Sequence, residues 1–340
     1  LMASKPQVIR IDGVLVQQDM PPISEEEIEE ILASVTKREQ RDTFQKDMEL
    51  DFVYVSPGLA RFRVNALFQR GTISLAFRLV PFEVLSIGKL GLPQICKELI
   101  LKPRGLVLVT GPTGSGKSTT LAAMLDYLNE NQSRNIITIE APIEYMHHNK
   151  KSIVIQRDLG HDTKSFAAAL VHSLRHDPNV IVLGEMRDLE TVASAITAAE
   201  TGHLVLATLH TSDAAQTVDR MIDVFPPAQQ QQIRLQLSQV LEAVLSQTLL
   251  PRAEGNGRIA AVEIMIGTGA VRNLIREERT FELANAMQLA SKDGMQTLDQ
   301  ALADLVRRRL VTLEDALAKS SDPQRLIRLL QFQGKAARLR

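Results

Sequence analysis

Cysteine is almost missing from this 340-residue chain, Cys96 being the single one. A disulfide framework within the chain is therefore excluded, and so is a four-cysteine zinc site. Such usage fits a reducing, cytosolic setting. An excess of charge of either sign is missing too: lysine plus arginine number 39, aspartate plus glutamate 40, and the net charge is −1. That balance gives no electrostatic footprint for nucleic acid and disfavours a helicase or DNA packager, unless a local basic patch hides in the neutral total. No apolar run approaches the roughly 20 residues needed to span a bilayer. No signal-peptide pattern, solenoid repeat or low-complexity segment is visible. The opening Leu1-Met2-Ala3-Ser4 reads as an engineered scar ahead of a truncated natural sequence.

What remains is ordinary for a globular protein, 44 % hydrophobic and 23 % charged, and long enough for about two domains. Residues 8–17 alternate apolar and polar side chains around Asp12-Gly13, the pattern of a hairpin. Ser24 with Glu27 forms a capping box, followed by Ile28, Ile31, Leu32 and Val35 at helical spacing. Residues 50–55, 61–68 and 72–79 read as strands. Period two puts Arg61, Arg63 and Asn65 on one face of the second strand. In the third, Ile73, Leu75, Phe77 and Leu79 share a face opposite Arg78. This small α+β domain closes near Pro81–Gly91, which sets the expected domains at 1–88 and 89–340.

From Gly105 the pattern becomes strand–helix alternation. Buried strands are expected at 106–110, 136–140, 180–183 and 204–209, with helices at 117–130, 165–176 and 189–200. That alternation argues for an α/β fold, a parallel sheet with helices on both faces. A long helix follows Pro226-Pro227, then a strand pair around 258–266. From Ala270 the chain reads as helical, with three short amphipathic helices in 297–330, the second capped by Thr312 and the third begun near Pro323.

Gly111-Pro112-Thr113-Gly114-Ser115-Gly116-Lys117-Ser118 is a full phosphate-binding loop pattern between a strand and a helix. Its glycines let backbone N–H groups curl around phosphates, and the helix start adds its dipole. Lys117 is placed to reach the β- and γ-phosphates of ATP, and the Ser118 hydroxyl to ligate Mg²⁺. Thr119 continues the same turn. A second carboxylate is expected after a buried strand, and Glu185 supplies it. Gly184 occupies the usual magnesium-linked aspartate position. Glu185 is either the base or water-orienting group, or a carboxylate facing a helix dipole. Glu140 and Glu144 could hold Mg²⁺ through water, position the attacking water, or be solvated loop acids. His210, at the end of strand 204–209, could sense the γ-phosphate. His203 lies at that strand's other end and cannot join it in one subunit without a bend. His147, His148, His161, His172 and His176 read as structural. Arg61, Arg63 and Arg78 are either arginine fingers for a neighbouring subunit or a solvated strand face.

Taken together and in this order, these motifs resemble those of the secretion ATPases of type II secretion and type IV pili. Gly111–Ser118 is similar to their Walker A motif and Ile139-Glu140-Ala141-Pro142-Ile143-Glu144 to their aspartate box. Leu183-Gly184-Glu185-Met186-Arg187-Asp188 resembles their Walker B motif, and Thr201-Gly202-His203 with Thr208-Leu209-His210-Thr211 their histidine box. Gly269-Ala270-Val271-Arg272-Asn273-Leu274-Ile275-Arg276-Glu277 is similar to a motif specific to the pilus-retraction branch, with Val271 for isoleucine. Two departures stand out: the opening Asp-Leu-His-Leu stretch is absent, and Ala141 replaces a common aspartate.

The resemblance implies a RecA-like P-loop core, a small PAS-like domain before it and helical segments after it. It implies ATP hydrolysis with Mg²⁺ by a homohexamer that powers pilus retraction at the inner face of the cytoplasmic membrane. ATP would lie between one subunit's N-terminal domain and the next subunit's core, which favours the finger reading for Arg63 and Arg78. His203 and His210 become motif residues. The implied partners are an inner-membrane platform protein and other pilus motor ATPases, with no nucleic acid. A nucleotide-binding accessory partner with weak turnover is the alternative, and Ala141 gives it weight. On the motif helix, Val271, Leu274 and Ile275 should pack inward, with Arg272 and Arg276 sharing an outer face.

Overall fold

The computed structural model describes residues 1–340 apart from 12–13, 57–59, 81–82 and 337–340, and for 332–336 it describes the backbone alone. The chain divides into two compact units, Leu1–Glu83 and Val84–Arg340.

In the first unit β1 (Val8–Ile11) and β2 (Val14–Gln17) pair antiparallel. The Asp12-Gly13 turn expected between them lies outside the described residues. α1 (Glu25–Val35) begins at the expected capping box: the Glu27 N–H donates to Ser24 Oγ at 3.1 Å, and the Ser24 N–H to Glu27 Oε2 at 2.7 Å. α2 (Arg38–Asp47) leads into a three-stranded antiparallel sheet of β3 (Glu49–Ser56), β4 (Ala60–Gln69) and β5 (Thr72–Val80). Period two sends Phe52, Val64, Ala66, Ile73 and Leu75 into one core with Ile28, Leu32 and Phe44. Leu79 departs from expectation. It is 62 % exposed, because the apolar cluster under the two helices reaches Phe77 and stops short of it.

The second unit opens with α3 (Ile95–Ile100), β6 (Gly105–Thr110), α4 (Lys117–Asn131), β7 (Asn135–Glu140) and β8 (Ile153–Asp158). Then come α5 (Phe166–Ser173), β9 (Val180–Leu183), α6 (Leu189–Glu200), β10 (Leu204–Leu209), α7 (Ala214–Asp223) and α8 (Pro227–Val240). β11 (Leu241–Pro251), β12 (Arg258–Ile266), α9 (Gly269–Arg276), α10 (Leu283–Leu289), α11 (Leu298–Arg307), α12 (Leu313–Lys319) and α13 (Pro323–Ala336) complete it. The strands form one seven-stranded sheet in the order β12-β11-β6-β10-β9-β7-β8.

Neighbours run parallel except β12, which pairs antiparallel with β11. The expected parallel sheet runs from β8 to β11, and β12 adds an antiparallel strand at its edge, so the sheet is mixed. The strand pair expected around 258–266 is instead the single strand β12, and its antiparallel partner β11 lies upstream of that range. β11 follows α8 with no intervening loop. Both faces of the central strands are apolar because both are covered. Leu106 and Leu108 of β6 enter a core with α5 to α10, whereas Val107 and Val109 enter the opposite core with α3 and α4. A third core joins Leu250 and Ile259 to Leu302, Leu305, Ala316 and Leu326 of the last helices. Cys96 is buried, which pushes its thiol up to about 12 and leaves no reactive thiolate.

Glu263 of β12 ties the core to those helices. Its Oε1 accepts the Ala214 N–H at the start of α7 at 2.8 Å, and its Oε2 the Leu298 N–H at the start of α11 at 3.2 Å. Burial pushes its carboxyl above the usual value of 4.5, and Asp213 and Asp299 add to the shift. A raised folded-state value means the native protein holds a proton that the unfolded chain releases. The associated stability is full below pH 4.5 and is lost as pH rises through the folded-state value. Thermal midpoints between acid and neutral pH should therefore show the wild-type margin over Glu263→Gln shrinking as pH rises. A margin that grows with pH would reverse the sign and refute the assignment.

Candidate active site

Strand register, not sequence proximity, assembles this site. Leu209 pairs with Thr110, Ala207 with Leu183, and Ile139 with Leu183, so β6, β10, β9 and β7 end along one edge. The segments leaving those ends are Gly111–Ser118, His210-Thr211, Gly184-Glu185 and Glu140–Glu144. In open α/β sheets the carboxyl edge is where ligands bind.

The Gly111–Ser118 loop turns sharply between β6 and α4. Gly111, Gly114 and Gly116 all have positive φ, the last as the cap of α4. Lys117 is buried, and its Nζ donates to the carbonyls of Gly111 at 2.8 Å and Pro112 at 3.1 Å, so the ammonium lies within the loop's curve. Burial pulls its pKa down, while the fields of Glu185 and Glu144 partly offset this. Both carboxylates therefore act on the same ammonium. Ser115 Oγ is buried with no partner among the described residues, an orphan polar atom inside the loop. Ser118 and Thr119 begin α4, and the Thr119 hydroxyl bonds the Tyr145 hydroxyl at 2.9 Å. A positive-φ cradle of backbone with a buried lysine and a hydroxyl at a helix start fits a nucleoside phosphate with its Mg²⁺. No group of three or more His, Cys, Asp or Glu among the described residues could hold a metal. The ion would share phosphate oxygens with Ser118.

Glu185 is mostly shielded, with 19 % of its side chain exposed. His210 Nε2 lies 2.9 Å from its Oε1, and Arg187 Nε donates to the same oxygen. Both contacts are made to Oε1. Gly184 has a packing reason to be glycine. A Cβ there would lie 3.2 Å from Glu140 Cα and 3.3 Å from the Ile139 carbonyl, so an aspartate would push the end of β7 aside. Glu140 is held by Thr138 Oγ1 at 2.7 Å, Gln156 Nε2 at 3.2 Å and the Glu144 N–H at 3.4 Å. Burial raises its pKa despite those donors. Glu144 is exposed on the same loop.

With this geometry in place, the comparisons with known proteins decide the family. The chain matches the Type II/IV secretion system protein family over residues 9–318. It belongs to that family. A protein of Pseudomonas aeruginosa named type IV pilus retractation ATPase PilT is 48 % identical over 324 residues, 95 % of this chain and 94 % of that protein. A twitching motility protein of Neisseria gonorrhoeae is 49 % identical over 317 residues, 93 % of this chain and 85 % of its own length. Among solved structures, one described as the pilus retraction motor PilT with bound ADP superposes with a TM-score of 0.89 at 48 % identity. It covers 96 % of this chain and 94 % of that one.

Not every candidate of this secretion-family chain joins the site. His203 precedes β10 and bonds the Ala198 carbonyl at 2.9 Å and Thr201 Oγ1 at 3.2 Å. A six-residue strand separates it from His210 by about 20 Å, so it is not at the loop within this chain. Arg63 and Arg78 belong to the first unit, where they are directly opposed across β4 and β5. Opposed like charges cost stability. Asp51 lies 4.0 Å from Arg63 Nε and relieves part of that cost.

The expected pairing of Arg272 with Arg276 fails. Val271 and Ile275 do pack inward, but Arg272 turns back onto α8. Its guanidinium donates to the carbonyls of Gly267 at 2.7 Å and Ser238 at 2.9 Å, to that of Gln239, and to Glu242 Oε1 at 2.9 Å. Arg276 is exposed and bonds Asn273 Oδ1. Equal spacing put the two on one helix face, but only one of them meets the free carbonyls ending α8.

Gln247 and Tyr145 were not singled out from sequence, and Thr208 and Arg187 entered only as members of longer motifs. Thr208 Oγ1 donates to the Gly184 carbonyl at 2.6 Å and holds the carboxylate turn in place. The usable signal for Gln247 was the polar run Ser246-Gln247-Thr248 inside the apolar stretch 241–250, since buried polar side chains need partners.

Proposed function

We propose that this chain is an ATP-hydrolysing motor subunit that works as a homohexamer to power type IV pilus retraction. One observation carries the chemistry: Glu185 and Lys117 lie at one sheet edge, the lysine inside a P-loop and close enough to feel the carboxylate's field. Relatives named for pilus retraction and twitching motility support the cellular role.

Lys117 and the loop N–H groups bind the β- and γ-phosphates, with Gly111, Pro112, Thr113, Gly114, Ser115, Gly116, Ser118 and Thr119 forming the cradle. Ser118 would hold Mg²⁺, which would supply neutralisation of phosphate charge. Glu185 Oε2 orients the attacking water and accepts its proton, while His210 and Arg187 hold the other oxygen. Glu144 and Glu140 shape the water shell, and Glu140, anchored by Thr138 and Gln156, does so by fixing its loop.

Arg63 and Arg78 act in trans on a neighbouring subunit's phosphates, and the opposed like charges on that sheet face support this. His203 belongs to the binding residues only if it serves a neighbouring subunit's nucleotide. The assembly works in the cytoplasm at the inner face of the membrane, against an inner-membrane platform protein and with sister pilus motors. No helix among the described residues is long and apolar enough to cross a membrane. Ala141 in place of a family aspartate favours one second reading, a nucleotide-binding accessory subunit with weak turnover.

Steady-state ATPase measurement on the purified assembly separates the two. Brisk turnover that Lys117→Ala abolishes supports the motor, whereas binding with negligible turnover supports the accessory subunit. Mixed rings test the trans role. Arg78→Ala and Lys117→Ala subunits, each inactive alone, should recover part of the activity at interfaces pairing an intact loop with an intact arginine. No recovery at any ratio would remove Arg78 from the active site.

A further inference from the structure

Gln247 sits on β11, the strand beside the P-loop strand, and is 4 % exposed. Its Nε2 donates to the Ser115 carbonyl at 2.7 Å, and the Thr120 hydroxyl donates to its Oε1 at 2.7 Å. A carbonyl only accepts, so the amide nitrogen must face Ser115. Register explains the placement. Leu245 pairs with Val109 and Ser246 with Thr110, which puts Gln247 level with Gly111. The hydroxyls of Ser246 and Thr110 bond at 2.8 Å and lock that register. The loop then rests directly on this residue. A Cβ on Gly111 would lie 2.2 Å from the Gln247 carbonyl oxygen, and one on Gly116 2.8 Å from Nε2.

The consequence follows from peptide geometry. In a trans peptide, C=O and N–H point in opposite directions. Drawing the Ser115 carbonyl toward β11 turns the Gly116 N–H away from the sheet, toward the concave side of the loop. We infer that Gln247 is a positioning residue of the nucleotide site: its amide aims the Gly116 N–H at the phosphates and, through Thr120, fixes the first turn of α4. This rests on the P-loop reading proposed above. Gln247 acts on binding rather than on water attack, which belongs to Glu185 at another strand end.

Gln247→Glu keeps the shape and replaces the donor. At about pH 8 the carboxylate would oppose the Ser115 carbonyl and the phosphates. KM for ATP, and Kd for ADP carrying a fluorescent N-methylanthraniloyl group, should rise about tenfold or more, the scale of a buried acceptor stripped of its donor. The value of kcat should change much less, since binding rather than the transition state is affected. At about pH 5.5 a buried carboxyl is largely protonated and its O–H replaces the lost donor, so the excess over wild type at the same pH should shrink. A role in filling space alone predicts the same ratio at both pH values, and that result, or unchanged Kd at pH 8, overturns the inference. Should Gln247→Glu fail to fold, Thr120→Val decides: a raised Kd supports the inference and an unchanged Kd overturns it. A wild-type protein that binds the fluorescent ADP without hydrolysing ATP refutes the motor reading alone, and the Kd comparison still judges Gln247.

Discussion

Glu185→Gln is expected to leave nucleotide Kd near wild type and to lower kcat about 10²-fold or more, the scale lost when a positioned base is removed. Binding should survive because the loop, Lys117 and Ser118 form a separate set of contacts. Turnover should not, because an amide accepts a proton far less readily than a carboxylate. Geometry adds a second cost. Arg187 Nε donates to Oε1, so the glutamine should present its carbonyl there. Its NH₂ group then occupies the Oε2 position and offers the water a donor where an acceptor is needed. The check is steady-state hydrolysis beside equilibrium binding of fluorescent ADP.

Equal turnover would move the base elsewhere, and the structure ranks the remaining carboxylates. Glu140 is already engaged by Thr138, Gln156 and the Glu144 N–H. Burial also raises its pKa, so it holds its proton more tightly than an ordinary carboxyl. The exposed Glu144 would be the next variant to make.

How much of this was legible in the sequence depends on the kind of signal. β6, β9 and β10 are short apolar runs between helices, and their positions fall where the pattern puts them. Capping chemistry was equally plain: Ser24 with Glu27 and Thr312 act locally, so no tertiary knowledge is needed. β11 was harder. Leu241–Pro251 follows α8 directly, and a mostly apolar stretch broken by Glu242 and Ser246-Gln247-Thr248 reads as buried strand or buried helix alike. Missing β11 meant missing Gln247, because its role exists only once the strand lies beside β6. The function of Gly184 was similarly hidden. Sequence shows a glycine where an aspartate is usual, but the tight approach of Glu140 Cα that crowds a side chain there comes from the register of β7 with β9. Spacing placed Arg272 and Arg276 on one face without revealing what that face meets.

That last difference gives the second large expectation. Arg272→Ala should destabilise the protein by about 3 kcal/mol, because it strands acceptors that the guanidinium now satisfies. Ser238 and Gln239 carry two of the last four carbonyls of α8, which have no partner within the helix. Glu242 would lose Arg272 and keep Lys102, at 2.6 Å. The cation also complements the negative end of the α8 dipole. A loss of this size should lower the thermal midpoint by about 5–10 °C. Arg276→Ala should change stability by no more than about 0.5 kcal/mol, as expected for an exposed side chain with one local bond. The two arginines of the motif thus divide into a structural clamp and an exposed charge, and only the second can meet a partner without unfolding its own helix. Scanning calorimetry on both single variants, with pilus retraction scored in cells for Arg276→Ala, separates the roles. If Arg272→Ala melts with wild type, the clamp contributes nothing. If Arg276→Ala melts and hydrolyses ATP normally yet abolishes retraction, the coupling surface lies at the exposed end of α9.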